Sequence, residues 1–356
     1  MKTTIVLGTR PEIIKLAPLI KRLNKKSTSI IFTGQHYDYE MGLKFIEQLG
    51  IRKPDYTLKI TRSNPPNQIA DIIKKVSFII KNESSDTVIV QGDTNTVLAA
   101  SISSLKCNIP ISHVESGLRS FDWRMPEEHN RIAVDHMSEF LFAPTILSKK
   151  NLIQENIHGK IFVTGNTIID SINQFTKISK KYSELLVNTK DYVLTTLHRS
   201  ENVDNQNTLN AIVKAMINTN EYFIFPLHPR TRKQLKKFGL YEKLNKSKNI
   251  LLMNSVGYFE ILELMKNCKY IMSDSGGIQE EATAPSINKK VVVVRKTSDR
   301  PESISTGFSV LSGTTYEGLI TCLKKTSENF SLPNKKSPYG IGNASKKIVD
   351  YLKKNI

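Results

Sequence analysis

"DTVIVQGDTNTVLAASISSL", residues 86–105, contains one complete strand-to-helix unit. The β-branched run "DTVIVQGD" predicts a buried strand, and "TNTVLAASISSL" repeats apolar residues at the i, i+3, i+4 spacing of a helix. Further strands are predicted at 3–8, 29–34, 109–115 and 139–145. Strands that alternate with helices pair in parallel through right-handed crossovers. The first half of the chain is therefore predicted to be α/β, with a doubly wound parallel sheet.

A second series of predicted strands begins near residue 191. Its members are "DYVLTTLH", "YFIFPLH", "NILLMNS", "KYIMSDS" and "KVVVVR". The polar segment 173–191 separates the two series and is predicted to be a helix followed by a linker. At 356 residues the chain is long enough for two domains. We expect two Rossmann-like domains facing a central cleft, in which the ligand binds.

Composition narrows the class of protein. The chain is 39% hydrophobic and 24% charged, without an apolar run long enough for a transmembrane helix. Its three cysteines are widely spaced and predict reduced core residues, so we expect a cytoplasmic protein. The net charge of +18 comes from lysines scattered along helix faces. That pattern favours a solvated basic surface over the alternative of a nucleic-acid-binding protein.

Charged side chains follow the predicted strands of both halves. They are Arg10, Asp93, Glu115, His198, His228 and Asp274. In an open parallel sheet this is the edge at which ligands bind. The segment 113–131, "HVESGLRSFDWRMPEEHNR", concentrates further acids and arginines directly behind one of these strands. His228 is the exception, because we expect it to be a buried, hydrogen-bonded histidine.

Two strand-to-helix turns predict anion binding. "SDSGGIQEEA" (273–282) places Ser275, Gly276 and Gly277 where backbone amides open a helix, a geometry that suits a diphosphate. "GTRPEIIK" (8–15) offers Arg10 and Lys15 to a second anionic group. The chain lacks a Walker A loop, a zinc-type Cys/His spacing and a G-x-S-x-G motif. Its one G-x-G does not follow a strand, so we expect neither a nicotinamide cofactor nor a metal.

Seven motifs in order along the chain resemble those of the non-hydrolysing UDP-N-acetylglucosamine 2-epimerases. They are "GTRPEIIKLAPLI", "QGDTNTVLA", "HVESGLRS…MPEEHNR", "FVTGNTIID", "TLHRSENV", "SDSGGIQEEA" and "DRPESISTG". The resemblance implies a GT-B fold, with domains at 1–172 and 173–337 and a last helix, 338–356, that crosses back to the first domain. It also implies a cofactor-free enzyme, commonly a homodimer, that interconverts UDP-N-acetylglucosamine and UDP-N-acetylmannosamine.

The resemblance also implies which residues act. Those implied in catalysis are Asp93, Glu115, Glu127, Arg131 and His198, and those implied in binding UDP are Arg10, Lys15, Ser275, Gly276, Gly277, Glu281 and Arg300. Gln35 and His36 match an allosteric site of bacterial relatives, although an ordinary loop explains them equally well. We expect Asp122, Arg124 and Glu128 to serve as caps or salt bridges instead.

The chemistry inverts C2 of a sugar whose C2 proton has no neighbouring carbonyl. Without a nicotinamide, the expected route is anti elimination of UDP to a 2-acetamidoglucal, followed by protonation of C2 on the opposite face and re-addition of UDP, with carboxylates near C1 and C2. The sequence leaves open which carboxylate removes the proton. The alternatives are a GT-B glycosyltransferase that uses a UDP-sugar donor and a hydrolysing epimerase that releases free N-acetylmannosamine.

Overall fold

The structure is a computed structural model that describes residues 1–35, 39–60, 64–182, 191–328 and 336–356. It divides into two compact units. Unit 1 is Met1–Ser171 together with Tyr339–Ile356, and unit 2 is Ile172–Pro338. Among the described residues, no helix has both the length and the apolar character needed to cross a bilayer.

Unit 1 is built on a parallel sheet, and the alternation of strands and helices predicted for it is confirmed. The elements are β1 (Thr3–Leu7), α1 (Arg10–Arg22), a 3-10 turn (Lys25–Ser27), β2 (Thr28–Phe32), α2 (Tyr39–Gln48), β3 (Tyr56–Thr57), α3 (Pro65–Glu83), β4 (Thr87–Gln91), α4 (Asn95–Lys106), β5 (Ile111–Val114), α5 (Pro126–Met137), β6 (Phe140–Ala143), α6 (Ile146–Gln154), β7 (Lys160–Val163) and α7 (Thr167–Phe175). Within the described residues, the strand order is β3-β2-β1-β4-β5-β6-β7.

Unit 2 repeats this construction with a parallel sheet of its own. Its elements are α8 (Ser179–Tyr182), β8 (Val193–Thr196), α9 (Ser200–Val203), α10 (Gln206–Ile217), β9 (Phe223–Pro226), α11 (Pro229–Lys237), α12 (Tyr241–Asn245), β10 (Ile250–Met253), α13 (Tyr258–Asn267), β11 (Tyr270–Ser273), α14 (Gly276–Glu281), β12 (Val291–Val293), α15 (Pro301–Ser305), β13 (Ser309–Leu311) and α16 (Tyr316–Glu328). The strand order in the described part is β10-β9-β8-β11-β12-β13.

The last helix, α17 (Ala344–Asn355), belongs to unit 1. The buried carboxylate of Asp170 caps its N-terminus, accepting hydrogen bonds at 3.0 Å from the backbone N–H groups of Ala344 and Ser345. Arg22 at the end of α1 donates to the Ser345 hydroxyl at 3.0 Å. These bonds attach the C-terminal segment to the helix that begins the chain.

The cores explain why these segments fold as they do. In unit 1 the β-branched residues of β4, such as Val88 and Val90, pack with the apolar faces of α3 and α4. In unit 2 the corresponding core forms around β8, β9 and β11. Each sheet is covered by helices, so its strands consist of continuous apolar runs. The three cysteines are free, with Cys268 and Cys322 buried as predicted and Cys107 partly buried.

In each sheet the order of the strands reverses at one point. The chain leaves β1 toward β2 on one side and returns to β4 on the other, and unit 2 reverses in the same way between β8 and β11. Beyond the carboxyl ends of such neighbouring strands a crevice opens, and open α/β sheets bind their ligands there. Most of the site residues predicted from the sequence lie at one of these two crevices.

Candidate active site

The crevice of unit 1 lies between the ends of β1 and β4. Glu12, buried in the first turn of α1, links the two ends. Its carboxylate accepts hydrogen bonds from the Gly8 N–H at 2.6 Å and from the Thr94 hydroxyl at 2.7 Å. Burial raises the pKa of Glu12 to about 7, although these hydrogen bonds oppose the change. The sequence prediction missed Glu12, whose only signal is its position in the N-terminal turn of a helix.

Glu115 lies at the rim of this crevice, directly after β5. Lys15 donates to both of its carboxylate oxygens, at 2.7 and 2.5 Å, and Gln91 donates to one of them at 3.2 Å. Glu115 has a backbone φ of +72°, a left-handed conformation that costs energy for any residue except glycine. Strained backbone conformations are found preferentially at functional sites, where contacts with the surrounding structure maintain them. Of the residues predicted from the sequence, the structure brings Lys15 and Glu115 into direct contact.

Asp93 and Arg131 form a second contact on the same rim. The guanidinium of Arg131 lies 2.7 Å from the Asp93 carboxylate and 2.7 Å from that of Glu128. The Asp93 side chain stays 28% exposed, so one side of its carboxylate faces solvent. Glu128 is buried and also accepts from the backbone N–H groups of Ser120 and Phe121. Its expected structural role is confirmed.

The charge on Glu128 has a clear physical origin. Burial alone raises the pKa of Glu128, but the Ser120 and Phe121 amides and the Arg131 guanidinium outweigh it and lower the pKa below its usual value. The other expected structural pair, Asp122 and Arg124, is also present, with 2.8 Å between their charged groups. Glu127 lies on the exposed side of the first turn of α5, beside the buried Glu128. Of these two adjacent acids, therefore, only Glu128 faces the interior.

Arg10 and Gln35 lie at the other end of the unit 1 crevice. Arg10 is the first residue of α1, and its guanidinium lies 5.0 Å from the centre of the Phe45 ring. Gln35 is buried, and its side-chain oxygen accepts from the backbone N–H and the hydroxyl of Thr96, at 2.9 and 2.8 Å. Gln35 thus joins the end of β2 to α4. His36 lies outside the described residues.

The crevice of unit 2 lies between β8 and β11 and holds His198 against Asp274. The His198 imidazole is 45% exposed, and its Nδ1 lies 3.3 Å from the Asp274 carboxylate. Asp274 is fully buried, and it also accepts the backbone N–H groups of His198 and Arg199. A carboxylate in this position orients the imidazole and the turn that carries it. Asp274 was noted from the sequence only as an acid at a strand end.

His228 differs from the sequence prediction. We expected a buried histidine, but the residue is exposed because it is the N-cap of α11. Its Nδ1 accepts the backbone N–H of Arg230 at 3.2 Å, so the predicted hydrogen bond is present. Its ring centre lies 5.9 Å from that of His198.

The turn "SGG" follows β11. Ser275 caps α14 by accepting the N–H of Ile278 at 3.4 Å, and Gly276 and Gly277 form the first helical positions, whose amides have no partner within a helix. A Cβ atom at Gly276 would come within 3.2 Å of the Asp299 carboxylate, so a side chain at this position would crowd that carboxylate.

Asp299 is part of an ion cluster that the sequence prediction missed. Its carboxylate lies 2.7 Å from Arg295, 3.4 Å from Arg300 and 3.6 Å from Arg199. Burial opposes ionisation, but the three guanidinium groups outweigh it and lower the pKa of Asp299 well below its usual value. Arg300 also donates to the buried Glu280 at 2.5 Å. The only sequence signal for this cluster is the run of charges after "VVVV".

The remaining predicted residue, Glu281, ends α14 and is half-buried. The crevice of unit 1 thus holds Arg10, Lys15, Asp93, Glu115 and Arg131, and that of unit 2 holds His198, Ser275, Gly276 and Gly277. Among the described residues, no group of three or more His, Cys, Asp and Glu side chains is arranged to hold a metal ion.

Known proteins resemble this chain in both sequence and structure. The family model for UDP-N-acetylglucosamine 2-epimerase matches residues 20–353. The UDP-N-acetylglucosamine 2-epimerase of Methanocaldococcus jannaschii is 42% identical over 99% of both chains. That of Methanococcus maripaludis is 41% identical over 98% of this chain and 97% of the relative.

The structural comparison agrees with the sequence comparison. The crystal structure of the M. jannaschii enzyme in complex with UDP-GlcNAc and UDP superimposes with a TM-score of 0.84, covering 99% of this chain and 100% of that one. The expected α/β fold of the GT-B type is thereby confirmed. With seven ordered motifs, two Rossmann-type sheets and similarity over the full length, this chain belongs to the UDP-N-acetylglucosamine 2-epimerase family.

Proposed function

We propose that this chain is a non-hydrolysing UDP-N-acetylglucosamine 2-epimerase, an isomerase that interconverts UDP-N-acetylglucosamine and UDP-N-acetylmannosamine. The observation that carries the proposal is the pair of crevices. One presents Asp93, Arg131 and the Lys15–Glu115 pair at the ends of parallel strands. The other presents His198 on Asp274 beside the Ser275 turn.

In the first step the bond between C1 and the diphosphate oxygen breaks, and its electron pair leaves with UDP. A carboxylate removes the C2 proton, and the electrons of the C2–H bond form the C1–C2 double bond of a 2-acetamidoglucal. Protonation of C2 on the opposite face and return of the UDP oxygen to C1 give the epimer, so no water is consumed. The protein lowers the barrier by stabilising charge on the leaving diphosphate and at C1.

The predicted site residues fall into two groups, one acting at the sugar and one binding UDP. Asp93, Glu115 and Glu127 supply the carboxylates, with the Arg131 guanidinium 2.7 Å from that of Asp93 and His198 as the fifth member of the catalytic set. Positive charge and backbone amides bind UDP. We assign this role to Arg10, Lys15, Ser275, Gly276, Gly277 and Arg300, with Glu281 accepting the ribose hydroxyls. The domains of the sequence prediction correspond in this proposal to units 1 and 2.

Proton exchange at C2 tests the mechanism. The chain is incubated with UDP-N-acetylglucosamine in deuterated water, and the products are resolved by NMR. We expect UDP-N-acetylmannosamine that carries deuterium at C2, with incorporation suppressed in Asp93→Asn and Glu115→Gln. Comparing these two variants with Glu127→Gln identifies the base as the carboxylate whose loss lowers exchange most while the protein still binds UDP. Epimer without deuterium at C2 would refute the elimination.

The same reaction mixture separates the alternatives. A hydrolysing epimerase releases free N-acetylmannosamine and UDP in equal amounts, and a glycosyltransferase consumes the UDP-sugar only when an acceptor is added. A nucleic-acid-binding protein leaves the UDP-sugar unchanged and binds RNA in a manner that salt weakens. Stable UDP-N-acetylmannosamine as the main product contradicts all three.

We also propose that the protein is a cytoplasmic homodimer. Enzymes that use nucleotide sugars as free substrates meet them in the cytoplasm, which agrees with the reduced cysteines. Light scattering during gel filtration tests the assembly, and the expected mass is about twice the 40.3 kDa of the chain. A mass that stays at 40.3 kDa over the working range of concentration contradicts the dimer.

A further inference from the structure

His113 is a fully buried ionisable group near the proposed catalytic carboxylates, and the mechanism above does not use it. The residue lies in β5 with no exposed surface. Its Nδ1 lies 2.7 Å from the Asp135 carboxylate, and its Nε2 lies 2.9 Å from the backbone carbonyl of Gly92. A carbonyl oxygen only accepts, so Nε2 donates to Gly92, and both ring nitrogens are occupied.

Asp135 connects His113 to two further groups. Its second oxygen accepts the backbone N–H of Gly117 at 3.1 Å and the Arg119 guanidinium at 2.8 Å. Burial works to raise the pKa of Asp135, but the charges and hydrogen bonds of His113 and Arg119 outweigh it and lower the pKa. Arg119 also pairs with Glu155 at 2.6 Å. A fully buried carboxylate is retained here with each oxygen bound.

Each contact of this cluster lies next to a residue of the proposed catalytic set. Gly92 immediately precedes Asp93, and the peptide plane fixes the Asp93 nitrogen once the Gly92 carbonyl is held. Gly117 lies two residues after Glu115, at the end of the same turn. Asp135 lies one helical turn after Arg131 on α5.

The turns that are held in this way contain three residues in the left-handed region of backbone conformation. Gly92, Glu115 and Gly117 have φ values of +85°, +72° and +78°. The two glycines adopt such φ values without strain, but Glu115 does not, and a strained residue persists only when the surrounding structure determines its conformation. A hydrogen bond at Gly92 and another at Gly117, both leading to one buried pair, supply that constraint.

We propose that His113, Asp135 and Arg119, here called the His113 cluster, are positioning residues that fix Asp93, Glu115 and Arg131 relative to one another. The cluster lies beneath the rim and acts through the backbone, without touching the substrate. This inference rests on the proposed function, because it concerns the spacing of the carboxylates that remove the C2 proton and return a proton to C2.

The spacing has a kinetic consequence specific to an elimination. The glycal and UDP must be recaptured before they leave, and recapture requires a correctly placed proton donor. A displaced carboxylate slows re-protonation, so more intermediate escapes as free UDP. The ratio of free UDP to epimer does not depend on the amount of folded protein, and a merely destabilised variant leaves it unchanged.

The test uses the full-length protein and two variants of the cluster. His113→Asn keeps a donor near the Nδ1 position for Asp135 but loses the hydrogen bond to Gly92, whereas Asp135→Asn disturbs the bond to Gly117. Asp170→Asn is the matched control, because Asp170 is also a buried carboxylate of unit 1 that accepts backbone N–H groups, in its case those at the N-terminus of α17. Product ratios are measured by NMR, with kcat, KM and UDP affinity determined for each variant.

We expect kcat to fall by about 10- to 100-fold in both cluster variants, the range known for small misplacements of catalytic groups. KM and UDP affinity should change little, and the free UDP ratio should rise. Asp170→Asn should leave that ratio at the wild-type value. Ratios equal to wild type in both cluster variants overturn the inference. Absence of epimer from the wild-type protein instead overturns the proposed function, and this inference with it.

Discussion

Replacing Lys15 with methionine is the sharpest test of the unit 1 site. Lys15 donates to both oxygens of Glu115 at 2.7 and 2.5 Å, and the two side chains are only 12% and 7% exposed. Methionine has nearly the same length and keeps the apolar stem, but it removes the ammonium group. The Glu115 carboxylate then stays buried with Gln91 as its nearby donor, at 3.2 Å.

The magnitude follows from distance and burial. Two unit charges about 3 Å apart attract each other by about 5 kcal/mol at an effective dielectric constant of about 20. Removing one partner of a buried pair costs about 3–5 kcal/mol, because the remaining charge is left uncompensated. We therefore expect Lys15→Met to lower the free energy of unfolding by about 3–5 kcal/mol. The double variant with Glu115→Gln should recover part of this loss, since no charge then stays buried.

The assay is urea unfolding at pH 7.5, followed by circular dichroism. Lys75→Met is the matched control, because Lys75 pairs with Asp71 at 2.9 Å across one helical turn of α3 but is 38% exposed. Exposed pairs of this kind contribute about 0.3–0.5 kcal/mol. If Lys15→Met costs no more than Lys75→Met, or if adding Glu115→Gln deepens the loss, the account of the Lys15–Glu115 pair is wrong.

Three further predictions concern stability. The pKa of Glu12 is raised from 4.5 to about 7, so its favourable contribution is complete below pH 4.5 and is lost as the pH rises through 7. The loss amounts to about 3 kcal/mol, and Glu12→Gln should flatten this part of the stability–pH curve measured by urea unfolding. Gly117→Ala should lower stability by about 2 kcal/mol or more in thermal melts, because φ is +78° and the new Cβ would lie 2.3 Å from the Ser148 carbonyl. Asp274→Asn replaces one carboxylate oxygen with an NH2 group, which then faces N–H groups that donate to the wild-type carboxylate. We expect this variant to lower the free energy of unfolding by about 1–3 kcal/mol in the same assay. Unchanged stability in any of these variants contradicts the contact on which it depends.

Much of the fold could be predicted because strands and helices are indicated by residue patterns within a short stretch of sequence. The strand predicted at 86–93 is β4, Thr87–Gln91, and the run "KVVVVR" contains β12. The short edge strands β3 and β13, of two and three residues, were missed because their pairing depends on a neighbouring strand. Tertiary context overrides local propensity most easily in such edge strands.

The site was predictable in part for a related reason. Parallel strands bring their carboxyl ends to one edge, so a charged residue after each strand predicts a shared rim before any coordinates are known. Asp93 and Glu115 were found in this way. Contacts between rim residues were not predictable, because Lys15 and Glu115 lie 100 residues apart, and the ion cluster around Asp299 draws on arginines from separate turns.

By itself, the sequence determined the alternation of strands and helices, the residues that follow each strand and the ordered motifs of the family. These properties are local, since they depend on periodicity and on residue types within a few positions. Only the tertiary structure decided which of two adjacent acids on α5 is buried, that His228 is exposed, and that His113 holds Asp135 and Gly92 together. Such choices depend on the pairing of distant chain segments, because a buried charge is tolerated only where partners from other elements surround it.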